Sequence, residues 1–345
     1  MLRRINYAVL SVSLLLFFVP LSLFAKQEPI QIKYAHIGPP NVFGEPMHAS
    51  ATAFKYMMEK ETNGKYRVDI YPAGTLGKEI DLMEAVGNNV IQVHGASMGG
   101  LHRIYPPAIL AFAPYVFKNE RIAVEVINGP FGRKLLEEFT AKTGIRGLIF
   151  NDIYTFLGIS NSVRQIRTPE DIKGIKFRAM DTMQLKMFQA LGASAVPVAF
   201  SEIYSSLQTG VVNGQTNPAL LVNAMKWYEV QKYMSLTRSQ FGYQWIVCNN
   251  AWYEKLPQAD KNAILAATEA AVTAGRGVGV LQEALNIVDL EKKGMEVYSP
   301  SEAEIDQFRA LAKPACLEWL KTQMSPELVD EFLLTIADTE KKLGY

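Results

Sequence analysis

Residues 257–293 form one nearly unbroken, alanine-rich helical pattern, and alanine is the strongest helix former. A helix of that length bridges two lobes more readily than it fits inside one. The 345-residue length points the same way, because at about 150 residues per domain it favours two domains, each burying its own core. Two lobes leave a cleft between them. No low-complexity segment or flexible linker separates the halves, so the chain is expected to cross on ordered strands, with residues 147–152 and 243–249 as the candidate crossings.

The chain is 49% hydrophobic and 20% charged, with a formal net charge of +1, which is the composition of a globular protein. Its Lys and Arg are interleaved with Asp and Glu, so it lacks the basic face that a nucleic-acid partner requires. Residues 1–25 read as an export signal: Arg3 and Arg4 precede an apolar run that ends at Ala25. The competing reading is a membrane anchor, but a span needs about 20 apolar residues and Pro20 interrupts this run. No cysteine follows the signal to accept a lipid. The only two cysteines, Cys248 and Cys316, exclude a disulfide scaffold, and whether they pair is left open.

Residues 30–36 read as a strand, followed by a Gly-Pro-Pro turn, an amphipathic helix to about residue 60, a strand over 66–71, a helix over 78–86 and a strand over 90–94. A similar unit recurs over residues 195–198, a helix after Phe200, and a strand over 211–215. Thr168-Pro169-Glu170-Asp171 reads as a helix start. A strand over 175–178 and a helix over 181–191 follow it. The fold class is therefore α/β, with strand ends meeting loops at a shared crevice.

Gly95-Ala96-Ser97-Met98-Gly99 matches the G-x-S-x-G pattern of a hydrolase nucleophile elbow. A triad in that order needs a histidine well downstream of Ser97, and the four histidines are His36, His48, His94 and His102. Pro106 and Pro107 also cut short the helix expected after an elbow. Ser97 is accordingly read as a loop residue, with an exported hydrolase kept as the rival function. The histidines show no metal-ligand spacing, and no glycine-rich phosphate cradle is present, so neither metal nor cofactor is expected. His36 and His94 each end a predicted strand, where a cleft-lining role competes with a structural one.

Arg178 follows Ile175 and Phe177 at a predicted strand end. Its planar fork suits bidentate pairing with a ligand carboxylate, while an internal ion pair with Asp181 is the competing reading. Asn213, Gln215 and Asn217 alternate along a short strand and offer amides to one side, although turn chemistry also favours asparagine there. Phe200, at a strand-to-helix junction, either walls a pocket or joins the core.

At these residues the sequence resembles the solute-binding proteins of tripartite ATP-independent periplasmic (TRAP) transporters, a family that includes dicarboxylate and sialic acid receptors. The resemblance runs in order through "ETNGKYRVDIYPAGTLG", "TPEDIKGIKFRAM", "ALGASAVPVAFSEIYSSLQTGVVNGQTNP" and "YEVQKYMSLT". It implies a periplasmic, non-enzymatic receptor of the two-lobed periplasmic-binding-protein type. Residues 26–151 with about 241–282 would form lobe I, residues 152–240 with about 283–310 lobe II, and about 311–345 the C-terminal helices.

The resemblance places Arg178 at the family's carboxylate-binding arginine, Asn217 at its partner and Phe200 at the pocket aromatic. His36 falls at the first strand end, Ala96, Ser97 and Met98 in a ligand-touching loop, and Gln244 and Trp245 on the returning strand. Asp181 is counted beside Arg178. Members with a second ligand arginine carry it just after the "GLIFND" strand, where this chain has residues 154–158 and no arginine. Phe156 and Leu157 imply less charge there. The ligand expected is a small organic acid with one carboxylate, such as a sugar, hydroxy, keto or aromatic acid, rather than a dicarboxylate. The TRAP membrane subunits are the expected protein partner, and a binding sensor without transport is the remaining alternative.

Overall fold

The computed structural model describes residues 28–345, so the expected export signal lies outside the described residues. Two sheets organise the chain. The first contains β1 (Ile30–Ala35), β2 (Tyr66–Tyr71), β3 (Val93–Ala96), β4 (Ile145–Asn151) and β10 (Gln244–Asn249) in the order β2-β1-β3-β10-β4. The second contains β5 (Gly158–Asn161), β6 (Lys176–Ala179), β7 (Ser194–Pro197), β8 (Gly214–Asn217), β9 (Tyr233–Ser235) and β11 (Glu296–Tyr298) in the order β11-β9-β5-β8-β6-β7. Each sheet is mixed. β10 runs antiparallel to β3 and β4, and β5 runs antiparallel to β8 and β9.

Among the described residues, twelve α-helices cover these sheets: α1 (Pro46–Glu61), α2 (Glu79–Gly87), α3 (Met98–Ile104), α4 (Glu120–Ile127), α5 (Pro130–Thr143), α6 (Thr182–Ala190), α7 (Ile203–Gln208), α8 (Ala219–Ala224), α9 (Asn250–Glu254), α10 (Gln258–Lys292), α11 (Glu302–Gln323) and α12 (Pro326–Leu343). Their starts follow local chemistry. Asn119, Asp181, Ser301 and Ser325 each accept a first-turn amide with the side chain, which satisfies donors the helix cannot. In α1, Ala51, Phe54 and Met58 face Tyr34, Val68 and Ile264 in one apolar cluster, as their helical spacing requires.

The chain crosses between sheets at three places. Residues 152–157 leave β4 for β5, residues 236–243 return from β9 to β10, and Phe156 pairs with Phe241 in an antiparallel bridge between them. The expected crossings at 147–152 and 243–249 are thus largely β4 and β10 themselves, paired within the first sheet. Helix α10 makes the third crossing. Its residues near Gly275 and Gly279 lie against α1 and Ile153, where a Cβ at position 279 would stand 1.9 Å from the Ile153 carbonyl oxygen. Arg276 forms a two-point ion pair with Asp152, both bonds 2.7 Å. Further along, the Glu283 carboxyl accepts the Ala219 and Leu220 amides at 3.0 and 2.9 Å. The long helix is therefore fastened to both halves.

Helix α11 packs on α6, and α12 packs on α4. Cys248 and Cys316 are both buried and free, which answers the question the sequence left open. Two strands begin three residues later than their apolar patterns suggest: β3 starts at Val93 rather than 90, and β8 at Gly214 rather than 211. In both cases the helix-terminating turn consumes the first apolar residues.

Candidate functional site

The facing ends of the two sheets enclose a cleft of about 680 Å³. The second sheet contributes Arg178, third residue of β6, and the strand alternation explains its direction. Phe177 turns into the core and stacks on Phe188, with ring centroids 4.3 Å apart, so its neighbour turns the other way. Gly214 on β8 makes room for Phe177, since a Cβ there would lie 2.5 Å from its ring.

Arg178 is 2% exposed and lines the cleft. Its Nε donates to the Val198 carbonyl at 2.9 Å, and its two terminal nitrogens have no protein partner among the described residues. Burial pushes the guanidinium down to about 10, with nearby Asp181 opposing the shift. It remains cationic at neutral pH. Asp181 does not pair with it within 4 Å; instead its Oδ1 caps α6 by accepting the Gln184 amide at 2.8 Å. Burial raises the Asp181 carboxyl above the ordinary range, and the residue does not line the cleft. The expected ligand contact through Asp181 is corrected to a capping role.

Asn217, the last residue of β8, lines the cleft beside Pro218. Its amide nitrogen donates to Gln215. Gln215 Nε2 donates to Ser160 Oγ at 2.7 Å, Ser160 Oγ to Gln231 Oε1 at 2.6 Å, and Gln231 Nε2 to the Asn213 carbonyl at 2.9 Å. This buried relay fixes the Asn217 side chain and leaves it one N–H and its carbonyl oxygen. Phe200 lines the cleft and meets Trp227 edge-on at 5.7 Å.

The first sheet contributes the loop after β1, the segment leading into α2, and the start of α3. Ser97 and Met98 line the cleft. Ser97 precedes α3, so a helix does follow the G-x-S-x-G segment, and residues 106–112 continue as a 3₁₀ helix rather than breaking the fold. The Ser97 amide donates to Glu79 Oε1. No histidine nitrogen is within hydrogen-bonding reach of its hydroxyl among the described residues, and the nearby rings are engaged elsewhere: His94 Nδ1 donates to the Ala35 carbonyl at 2.9 Å, and His102 Nδ1 lies 2.6 Å from the Met98 carbonyl.

Five other expected contacts fall behind the walls. His36 is fully buried and shares a 3.0 Å hydrogen bond with His48, because α1 covers the strand end that was expected to be open. Ala96 packs in the core. Gln244 and Trp245 lie on a strand hydrogen-bonded on both sides; Trp245 packs against Tyr105, Phe139 and Phe150, and Gln244 lies beside Gly95. Phe156 packs on Phe241 at the crossing, ring centroids 5.6 Å apart. Its neighbours Tyr154 and Leu157 line the cleft instead.

Sequence reasoning missed Lys78, Glu79, Arg103 and Tyr154, all on the cleft lining. Lys78 reaches across the mouth to Glu202 at 2.7 Å. Arg103 has no hydrogen-bond or ion-pair partner among the described residues. Tyr154 donates its hydroxyl to Glu45 Oε1 at 2.8 Å, and Glu45 caps α1 through the His48 amide, also at 2.8 Å. The one available signal was position: Glu79 opens α2 and Tyr154 follows β4, both at strand-to-helix or strand-to-loop junctions.

A cleft of this form, with one buried guanidinium whose terminal nitrogens meet no partner among the described residues and a supported amide, has the chemistry to pair with an anion. The chain is 33% identical over 261 residues to the C4-dicarboxylate-binding periplasmic protein DctP of Rhodobacter capsulatus, covering 74% of this chain and 75% of that one. It superposes with a TM-score of 0.84 and 27% identity on the sugar acid binding protein DctPAm of Advenella mimigardefordensis in complex with galactonate, covering 90% and 99% of the two chains. A TRAP periplasmic solute binding protein from Polaromonas bound to D-erythronate gives 0.82 and 28%, covering 88% and 98%. The profile of bacterial extracellular solute-binding protein family 7, DctP, matches residues 37–323, and the chain belongs to that family of TRAP solute receptors.

Proposed function

We propose that this receptor captures a small organic acid by a single carboxylate, holds it with Arg178 and Asn217 while Phe200, Ser97 and Met98 wall the remainder, and delivers it to TRAP membrane subunits. The observation that carries the reading is Arg178: buried, held by Nε alone, with its terminal fork unused by the protein. A buried guanidinium in that condition gains a two-point, charge-assisted pairing when a carboxylate arrives. The remainder of the ligand is hydroxylated or apolar, since Tyr154 and Leu157 line that part of the cleft and no arginine stands among residues 154–158. The galactonate and D-erythronate bound by the two structural neighbours have this chemistry.

The receptor works in the periplasm after removal of residues 1–25, and the lobes meet near residues 151, 240 and 282, so that closure on the ligand presents both lobes to the permease. Capture involves no chemical step. Calorimetry with D-galactonate and D-erythronate tests the anchor: Arg178→Ala is expected to cost about 2 to 5 kcal/mol of binding free energy, because the ligand carboxylate is left buried and unpaired. Unchanged affinity ends the assignment.

Arg103 favours a second reading, in which its unpaired guanidinium takes the other end of a dicarboxylate, as the name of the Rhodobacter relative suggests. Succinate binding more tightly than D-erythronate, with the preference abolished in Arg103→Gln, would select it.

A further inference from the structure

Two glutamines are fully buried behind the cleft, Gln184 in the first turn of α6 and Gln240 on the return crossing between the sheets. Their chain neighbours Met183 and Phe241 belong to the main apolar cluster, as does Phe112. The two side chains meet: Gln184 Nε2 donates to Gln240 Oε1 at 3.1 Å. From there hydrogen bonds run both ways. Gln184 Oε1 accepts the Met180 amide at 2.8 Å, and the Gln184 amide donates to Asp181 Oδ1, also at 2.8 Å, so the turn directly after Arg178 is clasped at two points. Gln240 Nε2 donates to the Phe112 carbonyl at 2.8 Å, at the end of the 3₁₀ helix over residues 106–112. The Gln240 carbonyl accepts the Leu157 amide, on the outgoing crossing, at 2.9 Å. Met180, Phe112 and Leu157 all line the cleft, whereas neither glutamine does.

An amide side chain gains little from such burial, since its bonds only replace those it makes to water. What a fully satisfied buried network supplies is one fixed geometry. Here it ties the turn after Arg178, the two crossing segments and the 106–112 segment of the cleft lining into a single chain of contacts.

Resting on Arg178 as the carboxylate anchor, we propose that Gln184 and Gln240 are positioning residues, which lock the turn after Arg178 to the crossings so that the aim of the guanidinium and the angle between the halves are set together. A change at either glutamine therefore weakens binding of an acid that neither of them touches.

Hydrogen exchange and calorimetry on the mature protein test this. In Gln240→Met, which roughly keeps the volume and removes both side-chain bonds, Gln184 loses its support, and the Met180 amide is expected to exchange on the order of tenfold faster than in wild type. Gln240→Glu retains an acceptor for Gln184 and is expected to keep the slow exchange. Affinity for D-galactonate and D-erythronate is expected to fall by about tenfold in Gln240→Met and in Gln184→Met, and no further in the double variant, because both changes cut one chain of contacts. Thermal melts establish that each variant is folded, and Gln184→Met carries the affinity comparison if Gln240→Met does not fold. Unchanged exchange at Met180 overturns the proposal, as do losses that multiply in the double variant. So do folded variants that melt lower yet bind as wild type does, the mark of a merely structural role. Failure of the anchor reading is separately visible, because Arg178→Ala would then bind both acids as wild type does, and the exchange comparison needs no ligand.

Discussion

Glu45 and His36 are buried within one wall of the cleft and titrate in opposite senses. Burial pushes the Glu45 carboxyl up to about 7, against the hydrogen bonds from Tyr154 and the α1 amides. Burial pushes His36 down to about 3, with His48 and His94 adding to the shift. Glu45 holds its proton more tightly in the folded state, so its contribution to stability is full below its ordinary value of 4.5 and is lost as pH rises through about 7. His36 is neutral when folded, so its contribution is full above 6.5 and is lost as pH falls toward 3. Between these ordinary values the two slopes oppose each other. Glu45→Gln keeps one acceptor oxygen for the His48 amide and turns its NH2 toward the Tyr154 oxygen, while removing one slope. Its melting temperature is expected to climb more steeply than that of wild type between about pH 5 and 6.5, and parallel profiles would contradict the assignment. The cleft-facing placement of Arg178 was legible in the sequence, because a residue that follows an apolar, core-facing Phe177 on a strand must turn the other way. Glu79, Tyr154 and Arg103 were not, since each reads locally as an ordinary helix or loop residue, and only the juxtaposition of distant segments gives it a cleft to face. His36 and Gln244 show the converse: their strand ends were identified, but the helices and strands covering them leave no trace in local pattern.

Helix α10 owes its position to glycines of unequal importance. Gly279 touches the Ile153 backbone closely enough that a methyl group would overlap it, whereas a methyl at Gly277 would meet nothing within 4 Å. Gly279→Ala is expected to destabilise the fold by about 1 to 3 kcal/mol through overpacking. Gly277→Ala is expected to stabilise it by about 0.5 to 1 kcal/mol, the difference in helical preference. Chemical denaturation of the two variants checks both signs. The α10 helix itself was plain from its alanine-rich pattern, as were α1, α2 and α6 from theirs; the caps at Asp181 and Ser301 emerge only in the structure. The starts of β3 and β8 were not, because an apolar residue in a turn and one in a strand look alike until pairing partners are known.

Across the whole molecule, the ion pair between Lys78 and Glu202 joins the two sides of the cleft mouth at 2.7 Å. Both side chains are exposed, so the pair adds little to stability, yet any opening of the mouth would have to break it. Ligand dissociation is expected to be faster in Glu202→Gln than in wild type. The wild-type rate should also rise with salt while the variant's does not, as stopped-flow release would show. The two-lobed arrangement was legible from length and the long helix, but the pairing of Phe156 with Phe241 was not, since nothing local ties together segments so far apart. Arg276 pins α10 to the crossing segment just after β4 and Glu283 pins it to the second half, with only two turns between them. If those halves rotate, this short span must absorb the bending like a leaf spring. Gly277 and Gly279 lie within it, so the rod is most pliable between its clamps, and stiffening position 277 would trade speed of opening for resistance to heat.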